Sequence, residues 1–289
     1  MIQINHLQVR YGSHLALDLQ TPITIQEGER VGIIGSNGAG KTTLLNALLG
    51  LVPGRGDYRV NAPIEQIAVH LQQNNYATTM AVRHIIEVVT GSKIGQDPKL
   101  DELIEFFGFG PSLRKRFQHL SGGQKQRMTL ILVLYQDAPL VFFDEVTSGL
   151  DYESRQALVE LLAAWYDRSK TTLCYITHYY EELETLVDKI LYIDEGKLVT
   201  YGDKEALFRR YCGRSVYVMS RSAEHEQLAE GFIELHAPPH LIALSSPDLA
   251  TDQAITERLN RADVSYKRST SDVEIMSTNA KAQLEGRTV

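Results

Sequence analysis

The run Gly35-Ser36-Asn37-Gly38-Ala39-Gly40-Lys41-Thr42-Thr43 constrains the fold more than any other part of this chain. It has the spacing of a phosphate-binding loop: Gly, four residues, Gly, Lys, then Ser or Thr. Arg30-Val31-Gly32-Ile33-Ile34 reads as a buried strand leading in. Leu44 to Leu49 reads as a helix leading out, ended by Gly50 and Pro53. Glycines let the backbone curl tightly and turn its N–H groups toward an anion. The helix start adds its partial positive charge at the same point. Lys41 is placed to reach the β- and γ-phosphates of a nucleotide, and the Thr42 hydroxyl to hold Mg²⁺. A plain glycine-rich turn is the alternative, and the strand and helix on either side argue against it.

The rest of the composition narrows the class. A chain of 289 residues has room for one large domain and one small one. With 43% hydrophobic and 22% charged residues it can bury a sizeable core. A formal charge of −7 disfavours non-specific nucleic-acid binding, which needs a basic face. No apolar run approaches the roughly 20 residues that span a bilayer. The longest, Met128 to Tyr135, runs into Gln136-Asp137. Met1-Ile2-Gln3-Ile4-Asn5 lacks the layout of a signal peptide. Cys174 and Cys212 are far apart and in no metal spacing, so a reducing cytoplasm is expected.

Ahead of the loop, Ile2 to Val9, Leu15 to Leu19 and Ile23 to Ile25 read as strands of an antiparallel layer, with Tyr11-Gly12-Ser13 a turn. After the loop helix, Pro53 to Gly56 reads as a turn, and Ile67 to Leu71 as a strand running into Gln72-Gln73-Asn74-Asn75. A polar amide at the end of a parallel strand faces the crevice where ligands sit; a solvated loop is the competing reading. Thr78 to Phe117 has helical spacing broken by glycines and prolines, which suggests a helical insert over about 74–120. Leu120-Ser121-Gly122-Gly123-Gln124 then opens a Gln/Lys/Arg-rich helix and forms a second anion-binding helix start. Leu140-Val141-Phe142-Phe143 leads straight into Asp144-Glu145. Two adjacent acids after four apolar residues are costly unless a cation or polarised water meets them. Asp144 suits Mg²⁺, and Glu145 suits a general base on an attacking water. Ser148 to Asp151 reads as a turn, and Thr171 to Thr177 as a buried strand ending at His178.

In this order the motifs resemble the ATP-binding subunit of ABC transporters, over roughly residues 1–210. The pairing of Gly35–Thr43 with Leu120–Gln124 is the most specific part of that resemblance. It implies an α/β phosphate-loop ATPase core with an antiparallel β subdomain, and ATP and Mg²⁺ as cofactors. Tyr11 resembles the aromatic that stacks on adenine. Ser36, Asn37, Gly38, Ala39, Gly40, Lys41, Thr42 and Thr43 match the phosphate loop. Gln73, or else Gln72, is similar to the glutamine that senses Mg²⁺ and the attacking water. Ser121, Gly122, Gly123 and Gln124 match the signature that closes on nucleotide held by a partner. Asp144 matches the Mg²⁺-binding acid, so Thr42, Gln73 and Asp144 form the expected metal set. Glu145 matches the catalytic acid, Asp151 the aspartate that couples two sites across a dimer, and His178 the γ-phosphate switch. Val146 departs from the proline usual after the acid, which should loosen the turn. The resemblance also implies a head-to-tail homodimer on a separate integral membrane permease, at the cytoplasmic face of the membrane, with no nucleic acid. Two anion-binding helix starts separated by an insert are hard to bring to one triphosphate within a single chain, so each site is better completed in trans.

Residues 211–289 read as a small C-terminal α+β domain. Strand-like Ser215–Met219, helix-like Glu224–Ala229, strands at Phe232–Leu235 and Leu241–Leu244, helix-like Asp252–Arg261 and extended Val264–Met276 give a β-α-β-β-α-β order, as in ferredoxin-like domains. From about 279 the tail is polar and is expected to fray. Such a tail tilts the expected function toward an exporter. An importer or energy-coupling ATPase and a non-transport ABC ATPase are the alternatives.

Overall fold

The computed structural model describes residues 1–70 and 76–287. Strand β1 (Ile2–Tyr11) buries Ile2, Ile4, Leu7 and Val9. Between Ile4 and Leu7 the alternation slips by one, and a register shift against the neighbouring strand re-phases it so that both pairs face inward. Strands β2 (His14–Leu19) and β3 (Ile23–Ile25) share one edge of β1, and β5 (Gly54–Val60) lines the other, all antiparallel. The Pro53–Gly56 stretch, expected as a turn, is thus the opening of a strand. Its glycines allow very close pairing: a Cβ on Gly56 would lie 2.2 Å from the His6 carbonyl oxygen.

The central sheet runs β10-β9-β4-β8-β7-β6. Strands β4 (Arg30–Ile34), β6 (Ile67–His70), β7 (Leu140–Asp144), β8 (Thr172–Ile176) and β9 (Lys189–Asp194) are parallel, and β10 (Lys197–Asp203) is an antiparallel edge. The two strands read as continuous apolar runs, β7 and β8, are buried at every position, because layers cover both faces of the sheet. One face packs on the antiparallel layer and α1 (Lys41–Leu48) through Val31, Ile33, Leu44, Phe142 and Cys174. The other packs on α4 (Gly122–Tyr135), α5 (Tyr152–Tyr166) and α6 (Tyr180–Leu186), and on the insert helices α2 (Val82–Thr90) and α3 (Pro98–Phe106).

Helix α7 (Lys204–Cys212) leads to the C-terminal segment. There β11 (Ser215–Ser220), α8 (Ala223–Ala229), β12 (Ile233–Leu235), β13 (Leu241–Ser246), α9 (Leu249–Arg261) and β14 (Lys267–Ser269) follow the β-α-β-β-α-β order, in an antiparallel sheet β12-β13-β11-β14. Alternation sorts its faces. Tyr217, Met219, Ile242 and Leu244 form a small core with Ile255 and Leu259 of α9. Val216, Leu235 and Ala243 point the other way and join the large core of the ATPase layers.

The chain end differs from expectation. Instead of extended chain and a frayed polar tail, Val273–Leu284 forms helix α10, which buries Val273, Ile275, Met276, Asn279, Ala280 and Ala282. Each large apolar side chain so buried is worth about 1.5–3 kcal/mol, which outweighs the polar look of the segment. Buried Asn279 is satisfied: its amide nitrogen donates to the His236 carbonyl at 2.9 Å and its amide oxygen accepts from the His236 N–H at 3.0 Å.

Candidate functional site

The carboxyl ends of β4, β7 and β8 converge, which is where open parallel sheets hold their ligands. The loop after β4 is tight by construction. Gly35 has φ +151°, and a Cβ there would lie 2.1 Å from the Ile193 carbonyl oxygen. We therefore expect Gly35→Ala to lose nucleotide binding and to lower the melting temperature; unchanged binding by calorimetry would show that the loop tolerates a shift. The Gly196 N–H donates to the Ala39 carbonyl at 3.0 Å, and the Asp18 N–H to the Gly196 carbonyl at 2.7 Å. Those bonds tie the β1–β2 hairpin to the loop. Tyr11, near the hairpin tip, is 48% exposed, as a flat surface for a stacked base requires.

Lys41 is buried, and its ammonium donates to the carbonyls of Gly35 at 2.8 Å and Ser36 at 3.0 Å. Burial holds its pKa below the usual lysine value, while Glu145 and Asp144 pull it back up. Thr42 and Asp144 meet: the Thr42 hydroxyl donates to Asp144 Oδ2 at 3.3 Å. Asp144 is buried, and desolvation first, then the negative charge of Glu145, raise its carboxyl above the ordinary range. A hydroxyl beside a carboxylate in need of positive charge fits Mg²⁺, which takes few protein ligands and completes its shell with water and phosphate. Among the described residues no cluster of three or more acids, histidines or cysteines offers a fuller metal cage. Gln73, with its alternative Gln72, lies outside the described residues.

Glu145 follows β7 in a left-handed backbone conformation, φ +49°. Such strain in a non-glycine residue persists only where the surroundings hold it. Here its N–H donates to the Ile176 carbonyl at 2.9 Å, and its own carbonyl accepts from the Ser148 N–H at 3.0 Å. Val146, which was expected to loosen this turn, is fully buried. The partly buried Glu145 carboxylate faces His178, with Nδ1 3.3 Å from Oε1. So the acid after β7 and the histidine after β8 come together, as adjacent parallel strands dictate.

Behind them lies a buried polar group that the sequence did not single out. Glu182 of α6 accepts hydrogen bonds from Thr147 at 2.5 Å, Tyr175 at 2.8 Å and Thr177 at 2.8 Å. Arg155 lies beside it, Nε 3.8 Å from Oε1. The only hint in the sequence is an acid four residues after His178, inside a surface-like Glu-rich run.

Ser121 N-caps α4 in a capping box with Gln124: Ser121 Oγ accepts from the Gln124 N–H at 3.3 Å, and Gln124 Oε1 accepts from the Ser121 N–H at 3.2 Å. The serine hydroxyl keeps its own proton to donate. The hollow at Ser121, Gly123 and Gln124 is lined by Arg127, Leu150, Ser154 and Leu158, none of them from the phosphate loop. Asp151 caps α5, accepting from the Ser154 N–H at 2.9 Å and hydroxyl at 2.8 Å. The structure thus joins the phosphate loop, Asp144, Glu145 and His178 in one place, and holds the Ser121–Gln124 start in another.

Comparison with known proteins bears on the family and the fold. The family model described as ABC transporter matches residues 20–148. The Nod factor export ATP-binding protein I of Burkholderia lata is 33% identical over 230 residues, covering 74% of this chain and 75% of the relative. The thiamine import ATP-binding protein of Haemophilus influenzae is 32% identical over 189 residues, covering 61% and 88%. Among solved structures, cbiO1 of Clostridium perfringens, part of the ABC transporter complex cbiONQ, superposes with a TM-score of 0.63 at 22% identity, covering 72% of this chain and 90% of that one. An ATP-binding cassette in a dimeric post-hydrolysis state with ADP and phosphate gives 0.59 at 20%, covering 70% and 98%. At those identities the structural likeness speaks to the fold.

Proposed function

We propose that this chain, which belongs to the ABC transporter family and is an ATP-binding, ATP-hydrolysing subunit, works as a head-to-tail pair that powers export through a separate membrane permease. The observation that carries the pairing is the separation, within one chain, of two anion-binding helix starts: Lys41 with its loop, and Ser121–Gln124 with a hollow of its own. A twofold partner brings the second to the first, with Asp151 beside the seam. No helix among the described residues is long and apolar enough to cross a membrane. Met80, Val88 and Val89 of the insert are exposed and offer an apolar contact for the permease. The pair would then sit at the cytoplasmic face.

In this reading the loop N–H groups and Lys41 receive the β- and γ-phosphates, and Tyr11 carries the adenine. Thr42 and Asp144 would hold Mg²⁺, which neutralises charge on the phosphate oxygens. Glu145 takes the proton of the attacking water, and His178 orients that acid and the γ-phosphate. Gln73 is assigned to the same water and metal.

The test is Ser121→Arg. This chain should bind ATP with near wild-type affinity yet stay monomeric in sedimentation with ATP, whereas an acid-disabled chain with an intact signature dimerises. A loss of ATP affinity in the Ser121→Arg monomer would place the signature in cis and reject the pairing. The likeness to a thiamine import protein supports import as a second reading. Reconstitution with the permease in vesicles, following which side loses cargo on ATP addition, separates the two directions.

A further inference from the structure

Helix α10 reaches the phosphate loop. Lys281, in its last turn, pairs with Asp194 at 2.6 Å, and the same carboxylate accepts a hydrogen bond from the Ser36 hydroxyl at 3.0 Å. The Asp194 side chain is 11% exposed and that of Lys281 35%. Ser36 is held from a second side, because its carbonyl accepts from the Lys41 ammonium at 3.0 Å. The C-terminal segment is fixed over this contact by a separate anchor. Glu184 of α6 accepts from the Val273 N–H at 2.9 Å and from the Ser271 hydroxyl.

The arrangement places an acid one hydrogen bond behind a loop built to receive phosphate. Unneutralised, Asp194 would repel the anion that the loop binds. Lys281 supplies the missing positive charge from some 240 residues along the chain, through a helix whose apolar face is packed in the main core. We infer that Lys281 is a positioning residue for the nucleotide site: it neutralises Asp194 and so holds Ser36, and with it the start of the loop, in a conformation that accepts phosphate. The C-terminal segment is then part of the ATP site. This rests on Gly35–Thr43 being that site.

The experiment is ATP affinity of the full chain by calorimetry, with Lys41→Ala as the reference that loses binding. Lys281→Gln should weaken ATP binding about 3- to 10-fold, and the loss should shrink at high salt, as expected for one unpaired charge near a binding site. Lys281→Arg should bind like wild type. The decisive arm is the double variant Asp194→Asn with Lys281→Gln. With the acid gone, the lysine is no longer needed, and affinity should return to within about twofold of wild type. A merely structural Lys281 would leave the double variant as weak as the single one. If Lys41→Ala removes binding while Lys281→Gln does not change it, or the double variant fails to recover, this inference falls and the ATP site stands. If wild type itself does not bind ATP, the reading of the site falls first.

Discussion

Glu145→Gln should leave ATP binding intact, slow hydrolysis about 10²- to 10⁴-fold and trap an ATP-stabilised dimer. The range is that of removing a positioned general base. The amide keeps the shape and the strained φ of +49°, because the backbone bonds to Ile176 and Ser148 do not involve the side chain. What disappears is the proton acceptor and one negative charge. That charge is one of the two reasons Asp144 is held above the ordinary carboxylate range, and it also supports the protonated state of Lys41. Asp144 in the variant should therefore ionise at lower pH than in wild type, which favours Mg²⁺. The substitution separates binding from chemistry: affinity for Mg-ATP is held or improved while turnover collapses. Single-turnover phosphate release and sedimentation with ATP measure the two halves. Wild-type-like hydrolysis would remove Glu145 from the role of catalytic acid and leave Asp144, His178 or Gln73 as the group to test next.

How much of this was legible beforehand depends on how locally each feature is encoded. The phosphate loop, the Ser121–Gln124 start and the Asp144-Glu145 pair are contiguous, and their residue types follow from backbone geometry or charge, so each can be read in place. The meeting of Glu145 with His178 needs only that β7 and β8 be neighbours. The Glu182 group is different. Its partners stand at 147, 155, 175 and 177, and nothing in any one segment marks them until the strands are side by side. Lys281 was hidden for a related reason. Val273, Ile275, Met276 and Ala280 are interleaved with Ser277 and Asn279, so the segment looks polar although those two residues are also buried. The Pro53–Gly56 stretch misled in the opposite sense, since its glycines serve close strand pairing rather than a turn.

The largest effect on stability is expected at Glu182. Glu182→Ala removes the common acceptor of three hydroxyls and leaves the largely buried Arg155 guanidinium without the carboxylate it pairs with. None of the donors can turn to water, because Thr147, Tyr175 and Thr177 are each at most 1% exposed. Burial, together with Glu182, pushes the Tyr175 hydroxyl well above its usual pKa, so it stays a donor and needs an acceptor. Breaking a buried charged group from one side costs about 3–5 kcal/mol. At about 2–4 °C per kcal/mol for a large domain, the melting temperature should fall by about 10 °C. Arg155 keeps its guanidinium 3.9 Å over the Tyr179 ring and 5.6 Å from the centre of the Tyr152 ring, which is not enough to offset the loss. Glu182→Gln is the sharper probe. It preserves volume and one acceptor oxygen, and should cost about 1–3 kcal/mol. Thr147 lies two residues after Glu145, and Thr177 immediately before His178. A shift in either moves the acid or the histidine, so turnover of Glu182→Gln should fall well below its melting temperature while ATP affinity is kept. Thermal unfolding of both variants, with kcat and KM of the second, measures this. If Glu182→Ala melts within about 2 °C of wild type, the hydroxyls have found other acceptors and the buried group is not what holds the Glu145 and His178 loops together.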